Sequence, residues 1–481
     1  MGDFKKTLLA ALGAGALALT LAACGGSDDD DGSNSSSSGN ETPAATAGKV
    51  ALDTAFGTGG IKPLPLSASA HDRFMATAIA PDGKIYGAGF ITQGDDHAMA
   101  VARLTAAGAL DTTFGTGGIA SLNVAIGGKA AELARSVIIQ SNGKVAIAGP
   151  VERDPAATGD AARDTDVAVV RFDSAGKPDA TFGTNGVATF NVNTGRITTG
   201  TSFVGDNAWG MGGLAGDKIA VFGSTLGEGE GRTDTDFFVL GVTAAGALDS
   251  AFGDAGKVLV DGNNKSSDSP RNVLVQPDGK IVTAGYSNSG GIVRPVVIRL
   301  SSAGVLDSTF GANGVATAEV LPGVAEAYSV SLQGSDYVLA GYGRGADTAE
   351  KVDMIVYRFK ANGSFDTSFG ANGVARLDIA KEDDRARNVT VLPDGRILAV
   401  GSGKRDAANI NGMIALFTKD GQLDSGFGEG GYVISDLGGP SDAWYGVALS
   451  PDKKFVIVTG YKGTNADSGG NDDAVVAKIL L

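Results

Sequence analysis

The stretch that decides the fold is Leu110-Asp-Thr-Thr-Phe-Gly-Thr-Gly-Gly-Ile119, and close copies of it recur along the chain. Its Phe-Gly core occurs seven times, at intervals of 58, 68, 70, 58, 59 and 58 residues. The phenylalanines are Phe56, Phe114, Phe182, Phe252, Phe310, Phe369 and Phe427. A fixed period in this range indicates one supersecondary unit that is repeated and stacked. The sequence therefore predicts a repeat architecture.

Each repeat contains four short apolar runs that are typical of strands. In the second repeat they are Arg135–Gln140, Lys144–Gly149, Asp166–Phe172 and Gly186–Phe190. All are rich in Val, Ile and Ala and are bounded by Gly, Asp and Asn. Four antiparallel strands with short hairpins form the blade of a β-propeller. The predicted fold class is all-β, a propeller of seven four-stranded antiparallel blades.

The two ends of the repeat region complement each other. The strand Ile61–Leu66 has no strands of its own repeat before it, and the last repeat stops after a third strand. Pairing Ile61–Leu66 with Ala474–Leu480 would complete the last blade and close the ring. Pro63 and Pro65 lie on one side of this strand, which suits an outermost edge. A linear solenoid, the alternative, needs polar caps at both ends.

The connections carry turn residues. An Asp-Gly or Asn-Gly pair separates the first two strands of four repeats, at Asp82-Gly83, Asn142-Gly143, Asp278-Gly279 and Asp394-Gly395. Such pairs predict two-residue type I′ hairpins. In each Leu-Asp-x-x-Phe-Gly we expect the Asp to bind amides of its own turn, the Phe to anchor the core and the Gly to be left-handed. Identity in every repeat favours a structural role, because active sites break symmetry.

These motifs resemble a known family. Phe-Gly-x-x-Gly-Val followed by Pro-Asp-Gly-Lys-Ile-Val-x-Ala-Gly, of which Pro277–Gly285 is the fullest copy, is similar to the delta-60 repeat family. The resemblance covers nearly all of the chain after residue 47 and implies a bacterial exported β-propeller of unknown function. Gly216-Asp217, Gly334-Ser335 and Asp452-Lys453 depart from the turn pattern. The resemblance implies a fold but no reaction.

The N-terminus has the pattern of a processing signal. Lys5 and Lys6 precede an uncharged run, Thr7–Leu21, that is too short to span a bilayer as a stable helix. Leu21-Ala-Ala-Cys24 resembles a bacterial lipoprotein signal, in which the cysteine becomes the lipidated N-terminus. Cys24 is the only cysteine, so no internal disulfide can form. We expect residues 1–23 to be a signal peptide, although an ordinary secretory signal is the alternative.

The segment after Cys24 is polar and of low complexity. Residues 24–47 are rich in Gly, Ser, Asp and Asn, so we expect a flexible tether ahead of a propeller at 48–481. By resemblance, Gly25 after the cysteine suggests the outer membrane of a bacterial envelope. The formal net charge is −15, which disfavours nucleic acid and anionic lipid surfaces as partners. Membrane contact is expected through the lipid anchor only, and the chain is expected to be a monomer.

The inventory of chemical groups is small. His71 and His97 are the only histidines, and the chain has no Gly-x-Ser-x-Gly elbow or P-loop. Carboxylates recur before the third strands, and Asn411 takes the same position in one repeat. They are Asp164, Asp166, Asp234, Asp236, Asp353, Asp472 and Asp473. Oxygen ligands of this kind can hold calcium, but no EF-hand loop is complete and capping of the strand is the simpler interpretation. We expect no cofactor and no metal, with calcium as the alternative.

The repeats differ in residue type at the start of their first strands, so we expect the functional site there. Aligning the repeats places Met75, Arg135, Trp209, Arg271, Tyr328, Arg387 and Tyr445 near one mouth of the central channel, with Trp444 beside the last. Arginine and aromatic residues carry binding at protein surfaces. The candidate binding mouth is Arg135, Trp209, Arg271, Tyr328, Arg387, Trp444 and Tyr445. Alternatively, these side chains fill the channel and the arginines pair with loop carboxylates.

Two functions follow from the sequence, and a purely structural role in the envelope is a third. The first is a lipid-anchored, non-enzymatic envelope scaffold that binds a protein or glycan on its loop face. Two long loops, Pro150–Thr165 and Ser224–Thr235, are expected there. The second is a hydrolase or lyase acting on sugars or lactones at the channel mouth. It requires convergent carboxylates, for which Asp72, Asp206, Asp268, Asp383, Asp384 and Asp442 are the candidates.

Overall fold

A computed structural model describes residues 49–481 except 68–70, 95, 127–131, 155, 160–162, 200–201, 230, 263–264, 290, 405–408 and 464–471. The expected signal peptide, Cys24 and the tether lie outside the described residues. Almost no helix is found in the described part, where a short 3₁₀ turn at Ala215–Asp217 forms the connection of one hairpin. No helix in these ranges combines the length and apolar character needed to cross a membrane.

The described chain is built of antiparallel sheets, mostly four-stranded. The first sheet contains β3 (Asp72–Ile79), β4 (Ile85–Gln93), β5 (Asp96–Leu104) and β6 (Ile119–Leu122). The second contains β7 (Ser136–Ile139), β8 (Val145–Glu152), β9 (Thr165–Phe172) and β10 (Val187–Phe190). A hairpin of β11 (Arg196–Thr199) and β12 (Ser202–Val204) follows. The third sheet contains β13 (Asn207–Gly213), β14 (Ile219–Leu226), β15 (Thr235–Val242) and β16 (Lys257–Val260). The four strands predicted for the second repeat are confirmed.

The next two repeats share one nine-stranded sheet. The first supplies β17 (Ser267–Val275), β18 (Ile281–Ser289), β19 (Ile292–Leu300) and β20 (Val315–Thr317). The second supplies β22 (Ser329–Gln333), β23 (Asp336–Arg344), β24 (Asp353–Phe359) and β25 (Val374–Leu377). The short strand β21 (Val324–Ala325) joins them, since it pairs with both β19 and β23. This link between repeats has no counterpart in the sequence pattern.

The last two sheets complete the described chain. One contains β26 (Arg385–Val391), β27 (Ile397–Gly403), β28 (Asn411–Phe417) and β29 (Tyr432–Ser435). The other contains β30 (Ser441–Leu449), β31 (Phe455–Gly463) and β32 (Asp473–Leu480), and it is joined by β1 (Ala51–Leu52) and β2 (Ile61–Leu64). Ile61 pairs with Ala477 and Leu64 with Ala474, so the N-terminal strand lies beside the C-terminal one. The observed strand β2 is shorter than predicted and ends before Pro65.

The repeated turn forms as expected. In every copy the Asp Oδ1 accepts a hydrogen bond from the amide two residues later, at 3.0–3.2 Å. All seven phenylalanines are at most 3 % exposed, and the glycine that follows each has φ between +52° and +63°. At Gly311 a Cβ would lie 2.2 Å from the carbonyl oxygen of Val315, so only glycine fits the turn.

The turn also fastens neighbouring repeats to each other. In four repeats an arginine eight residues before the Asp binds its carboxylate, covers the Phe ring and donates to a carbonyl of the next repeat. Arg299, for example, is 2.9 Å from Asp307, 4.6 Å from the centroid of Phe310 and 2.6 Å from the carbonyl of Ala361. The others are Arg103, Arg171 and Arg358. The arginine was not predicted, although its constant spacing from the Asp is visible in the sequence.

The prediction of type I′ hairpins at Asp-Gly and Asn-Gly is wrong. Only the glycine of each pair has positive φ, for example +82° at Gly83, whereas type I′ needs it at both residues. Gly83 donates to the carbonyl of Ala80 at 2.9 Å, and Ala80 donates to the carbonyl of Lys84 at 2.9 Å. The loop is therefore a three-residue one, a type I turn followed by a left-handed glycine. The Asp side chain favours it by accepting from Lys84 N at 3.1 Å.

Candidate functional site

The first strands of the sheets carry an irregularity at the residue that the alignment singled out. In β3, β13, β17, β26 and β30 the register shifts there, so Met75, Trp209, Arg271, Arg387 and Tyr445 are bulge residues. A bulge leaves one residue unpaired and redirects its side chain. Arg135 and Tyr328 stand immediately before β7 and β22 and donate their amides to Ala148 and Ala340. In each repeat the residue at this aligned position is therefore either a bulge residue or the residue just before the first strand.

These residues line one cavity of about 290 Å³, which we call the ring cavity. Its wall is formed by Met75, Arg135, Trp209, Arg271, Tyr328, Arg387 and Tyr445. Residues that follow in the same strands line it as a second, mainly apolar layer, the floor. The floor is Thr77, Val137, Met211, Val273, Val330, Val389 and Val447. The floor was not predicted from the sequence, although its valines recur two residues after the wall position.

Trp444 does not belong to the ring cavity, so its assignment to the mouth is wrong. Its side chain is fully buried in the core and packs against Gly412, where a Cβ would lie 2.6 Å from the indole nitrogen. The register shift between Trp444 and Gly446 is the reason. The shift directs the Tyr445 side chain into the ring cavity, whereas the Trp444 side chain points into the core.

Arginines and aromatic rings alternate around the wall. The guanidinium carbons of Arg135 and Arg271 lie 3.8 and 3.9 Å from the ring centroid of Trp209. Those of Arg271 and Arg387 lie 4.8 and 4.7 Å from Tyr328, and Arg387 lies 5.5 Å from Tyr445. Stacking of this kind stabilises a cation without neutralising its charge.

The arginines of the wall are not paired with any carboxylate of the described residues, contrary to one alternative from the sequence. None of the three forms an ion pair with a described residue, and the Nε atom of each is buried without a hydrogen-bond partner. Arg271 donates to the hydroxyl of Tyr286 at 2.7 Å. Burial, followed by the charge of Arg271, lowers the pKa of Arg135 to about 10. The wall therefore concentrates positive charge in an acidic chain.

One carboxyl group lies behind this wall. Glu326 is buried, and one of its oxygens has no hydrogen-bond partner among the described residues. Burial raises the pKa of Glu326, while a hydrogen bond from Tyr342 and then the charges of Arg271, Arg385 and Arg387 oppose the rise. It does not line the ring cavity and forms no ion pair with the described arginines. Glu326 thus reduces the positive potential of the wall arginines but does not occupy the ring cavity.

The candidate catalytic carboxylates serve the backbone instead. Asp206 accepts from the amide of Val192 at 2.6 Å, Asp268 from Gly262 at 2.6 Å and Asp384 from Ile379 at 2.6 Å. Asp72 and Asp442 bind the amides of Ser67 and Leu437 in the same way. Each carboxylate holds the crossover that leads into a first strand. Asp383 instead accepts from the amide of Val352.

Neither these groups nor a histidine lines the described cavity. Burial raises the pKa of Asp206 and Asp442 to about 6, and the pKa of Glu132, Asp268 and Asp384 to about 7. Raised values of this kind accompany catalysis in many enzymes, but structural burial produces them as well. Here the hydrogen bonds assign them to the scaffold.

Two sets of carboxylates could hold a metal ion. They occupy equivalent places in two repeats: Asp236, Asp261 and Asp268 in one, and Asp353, Asp378 and Asp384 in the other. Oxygen donors suit calcium. One member of each set already binds an arginine, Asp236 with Arg232 at 2.5 Å and Asp353 with Arg376. The guanidinium supplies the positive charge that a cation would otherwise bring.

Comparison with known proteins supports the fold. A family described as "Domain of unknown function (DUF5122) beta-propeller" matches residues 80–114, 276–310, 337–369 and 392–427. The fold is a β-propeller. The matched stretches of the propeller run from the first turn of a repeat to its Phe-Gly. No curated protein matches the chain.

Solved structures similar to the propeller differ in what they do. Sqt1 from Chaetomium thermophilum, bound to the N-terminus of ribosomal protein L10, is 11% identical over 87% of this chain and 100% of its own, with a TM-score of 0.41. The polysaccharide lyase Uly1 is 11% identical over 85% of this chain and 89% of its own, with a TM-score of 0.44. The α-L-arabinofuranosidase Arb93A from Fusarium graminearum is 12% identical over 72% and 92%, with a TM-score of 0.39.

Proposed function

We propose that the chain forms a closed ring of seven blades built from delta-60 repeats. Pairing of β2 with β32 brings the N-terminal strand to the last sheet. The first strands also contact one another in a cycle: β3 with β7, β7 with β13, β13 with β17, β17 with β22, β22 with β26, β26 with β30, and β30 with β3. A cycle of this kind leaves no terminal repeat to be capped.

The protein is proposed to be a lipoprotein of the bacterial envelope. The support is the sequence, in which residues 1–23 have the form of a signal peptide and Cys24 follows two alanines. Residues 24–47 would tether the propeller to the membrane, and Gly25 favours the outer one by resemblance. Metabolic labelling with a radioactive fatty acid tests this, and loss of label in the Cys24→Ser variant is expected. Label retained by that variant would contradict it.

The proposed activity is binding, without catalysis, of a protein or glycan partner at the loop face. The observation that carries it is the wall of the ring cavity, where three arginines face one space and none has a carboxylate partner among the described residues. Uncompensated buried charge is costly, so it persists in folded proteins mainly where a ligand uses it. The first strands begin at the face that carries the long loops, so a partner on those loops can reach the cavity.

An enzyme acting on sugars or lactones is the competing function. Such an enzyme needs a positioned acid, base or nucleophile. Tyr328 and Tyr445 are the wall residues that could act as an acid or base, whereas the nearby aspartates are engaged with backbone amides.

Affinity capture from envelope extract tests the proposal. The full chain in detergent is compared with Arg135→Lys/Arg271→Lys/Arg387→Lys, because lysine retains the charge but loses planar stacking and bidentate donation. Arg396→Lys is the matched control, because Arg396 lies outside the ring cavity at the hairpin that follows β26, where it pairs with Asp394 and Asp424. We expect the control to recover the same partner as wild type and the triple variant to lose it. Equal recovery by all three would remove the cavity from the binding site, and turnover of a sugar or lactone by the wild type would favour the enzyme.

A further inference from the structure

The ring cavity has the features of a site for a small, highly charged anion. Its volume of about 290 Å³ is at the lower limit of ligand sites. Three guanidiniums come from alternate positions around the wall, and Arg135 and Arg271 are separated by a single indole ring. Like charges this close repel each other, and a bound anion would remove the repulsion.

The stacking geometry argues against recognition of a sugar face. Two guanidiniums cannot occupy the same place, so Arg135 and Arg271, each within 4 Å of the centroid, cover opposite faces of Trp209. The guanidinium carbons of Arg271 and Arg387 lie 4.8 and 4.7 Å from the ring centroid of Tyr328. Faces that are covered cannot stack on a pyranose ring. The free edges of the guanidiniums are N–H donors in fixed planes, and these suit oxyanions.

The number of charges and donors selects among oxyanions. A carboxylate carries one negative charge and is satisfied by one bidentate guanidinium. Phosphate and sulfate groups present three or four oxygens and more charge, which matches three arginines better. The floor formed by Val137, Val273, Val389 and their counterparts is mainly apolar, so the wall supplies the charged groups that line the ring cavity.

We infer that the ring cavity binds a single phosphate or sulfate group through Arg135, Arg271 and Arg387. The group is either a free ion or the charged end of a larger ligand. This inference rests on the proposed binding function and specifies the chemistry that the cavity recognises. No bond is made or broken, so the site is one of recognition.

Equilibrium dialysis of the full chain with labelled phosphate tests the inference, in buffers of constant ionic strength balanced with chloride. We expect saturable binding of one ion per chain, competed by sulfate. Removing one arginine should weaken binding about tenfold or more, since a charged hydrogen-bonding partner is lost. The variants are Arg135→Gln, Arg271→Gln and Arg387→Gln, and Arg196→Gln is the control outside the cavity.

Thermal unfolding in the same buffers keeps the test valid if a variant is less stable. A ligand that binds only the folded chain raises Tm, and the rise grows with the ratio of ligand concentration to Kd. We expect phosphate to raise Tm of wild type and Arg196→Gln by clearly more than it raises Tm of Arg271→Gln, whatever the baseline of that variant. General effects of sulfate and phosphate on water act on all variants alike. An equal rise in all of them, or none in wild type, would overturn the inference.

A separate binding measurement distinguishes a free ion from the charged end of a larger ligand. Glycerol phosphate that binds more tightly than inorganic phosphate indicates the end of a larger ligand, and the reverse order indicates a free ion. Both results support the inference, whereas binding of acetate and succinate without phosphate or sulfate contradicts it. If phosphate binds but no partner is captured, the scaffold function fails and the anion site stands. If capture depends on the arginines but no oxyanion binds, the scaffold function stands and the anion site is wrong.

Discussion

At the scale of single residues, the aspartate of the repeated turn combines several interactions. Asp366 accepts from the amide and hydroxyl of Ser368 and lies 2.7 Å from Arg358. Although burial opposes the change, the hydrogen bonds of Ser368 and Arg358 lower the pKa of Asp366 to about 2. Its carboxylate therefore stabilises the folded chain at neutral pH.

We expect Asp366→Asn to lower the free energy of unfolding by about 2 kcal/mol, because Arg358 loses a charged partner while remaining buried. The first resolved transition in a urea titration, followed by fluorescence, measures the loss. Asp278→Asn is the control, since that aspartate caps a hairpin with a side chain that is 55 % exposed. A loss no larger than that of the control would show that the Arg358 pair is not needed.

The glycine of the same turn allows a second prediction. Gly311 and Gly334 both have positive φ, +52° and +64°, but only at Gly311 would a Cβ meet backbone atoms. Alanine at either position should cost about 1 kcal/mol or more for the left-handed conformation. Gly311→Ala should cost clearly more, because the Val315 carbonyl must move. Equal urea midpoints for the two variants would contradict this.

At the scale of elements, the crossovers into the first strands depend on buried carboxyl groups. Burial raises the pKa of Asp206, Asp268, Asp384 and Asp442 to between about 6 and about 7, above an unfolded value of about 4. Between about pH 4 and pH 7, the folded chain thus binds more protons than the unfolded chain. Stability from these groups is full below pH ~4 and is lost as pH rises through their folded pKa.

We therefore expect the propeller to unfold at lower urea concentration at pH 8 than at pH 5. Below pH ~4 the trend should reverse, because Asp366 and its equivalents become protonated and lose their stabilising interactions. Asp384→Asn should reduce the difference between pH 5 and pH 8, and Asp278→Asn should leave it unchanged. Unfolding that is independent of pH across this window would show that these carboxyl groups are not shifted.

At the scale of the whole molecule, the N-terminal strand is expected to complete the last sheet. A chain that begins at residue 67 loses β1 and β2 and exposes the edge of β32. Unpaired edges promote association, so we expect lower thermal stability and self-association in light scattering. A chain that begins at residue 48 is the control and should remain a monomer. A shortened chain as stable and monomeric as this control would contradict closure.

Sequence alone determined the features that depend on neighbouring residues. The Asp, Phe and Gly of the repeated turn could be assigned because the bond from the Asp side chain to its own turn and the left-handed glycine are both set within about six residues. The wall of the ring cavity could be aligned because every repeat enters its first strand in the same way. Hairpin geometry was harder, since Asp-Gly is compatible with both a two-residue turn and a three-residue loop.

Only the tertiary structure decided where side chains point and what they meet. Trp444 and Tyr445 are adjacent in sequence, yet a bulge sends one to the core and the other to the ring cavity. The stacking of Arg271 between Trp209 and Tyr328 arises from contacts between different repeats, and none of the described carboxylates is its partner. Such contacts depend on the relative placement of strands that are about 60 residues apart, which no local pattern specifies.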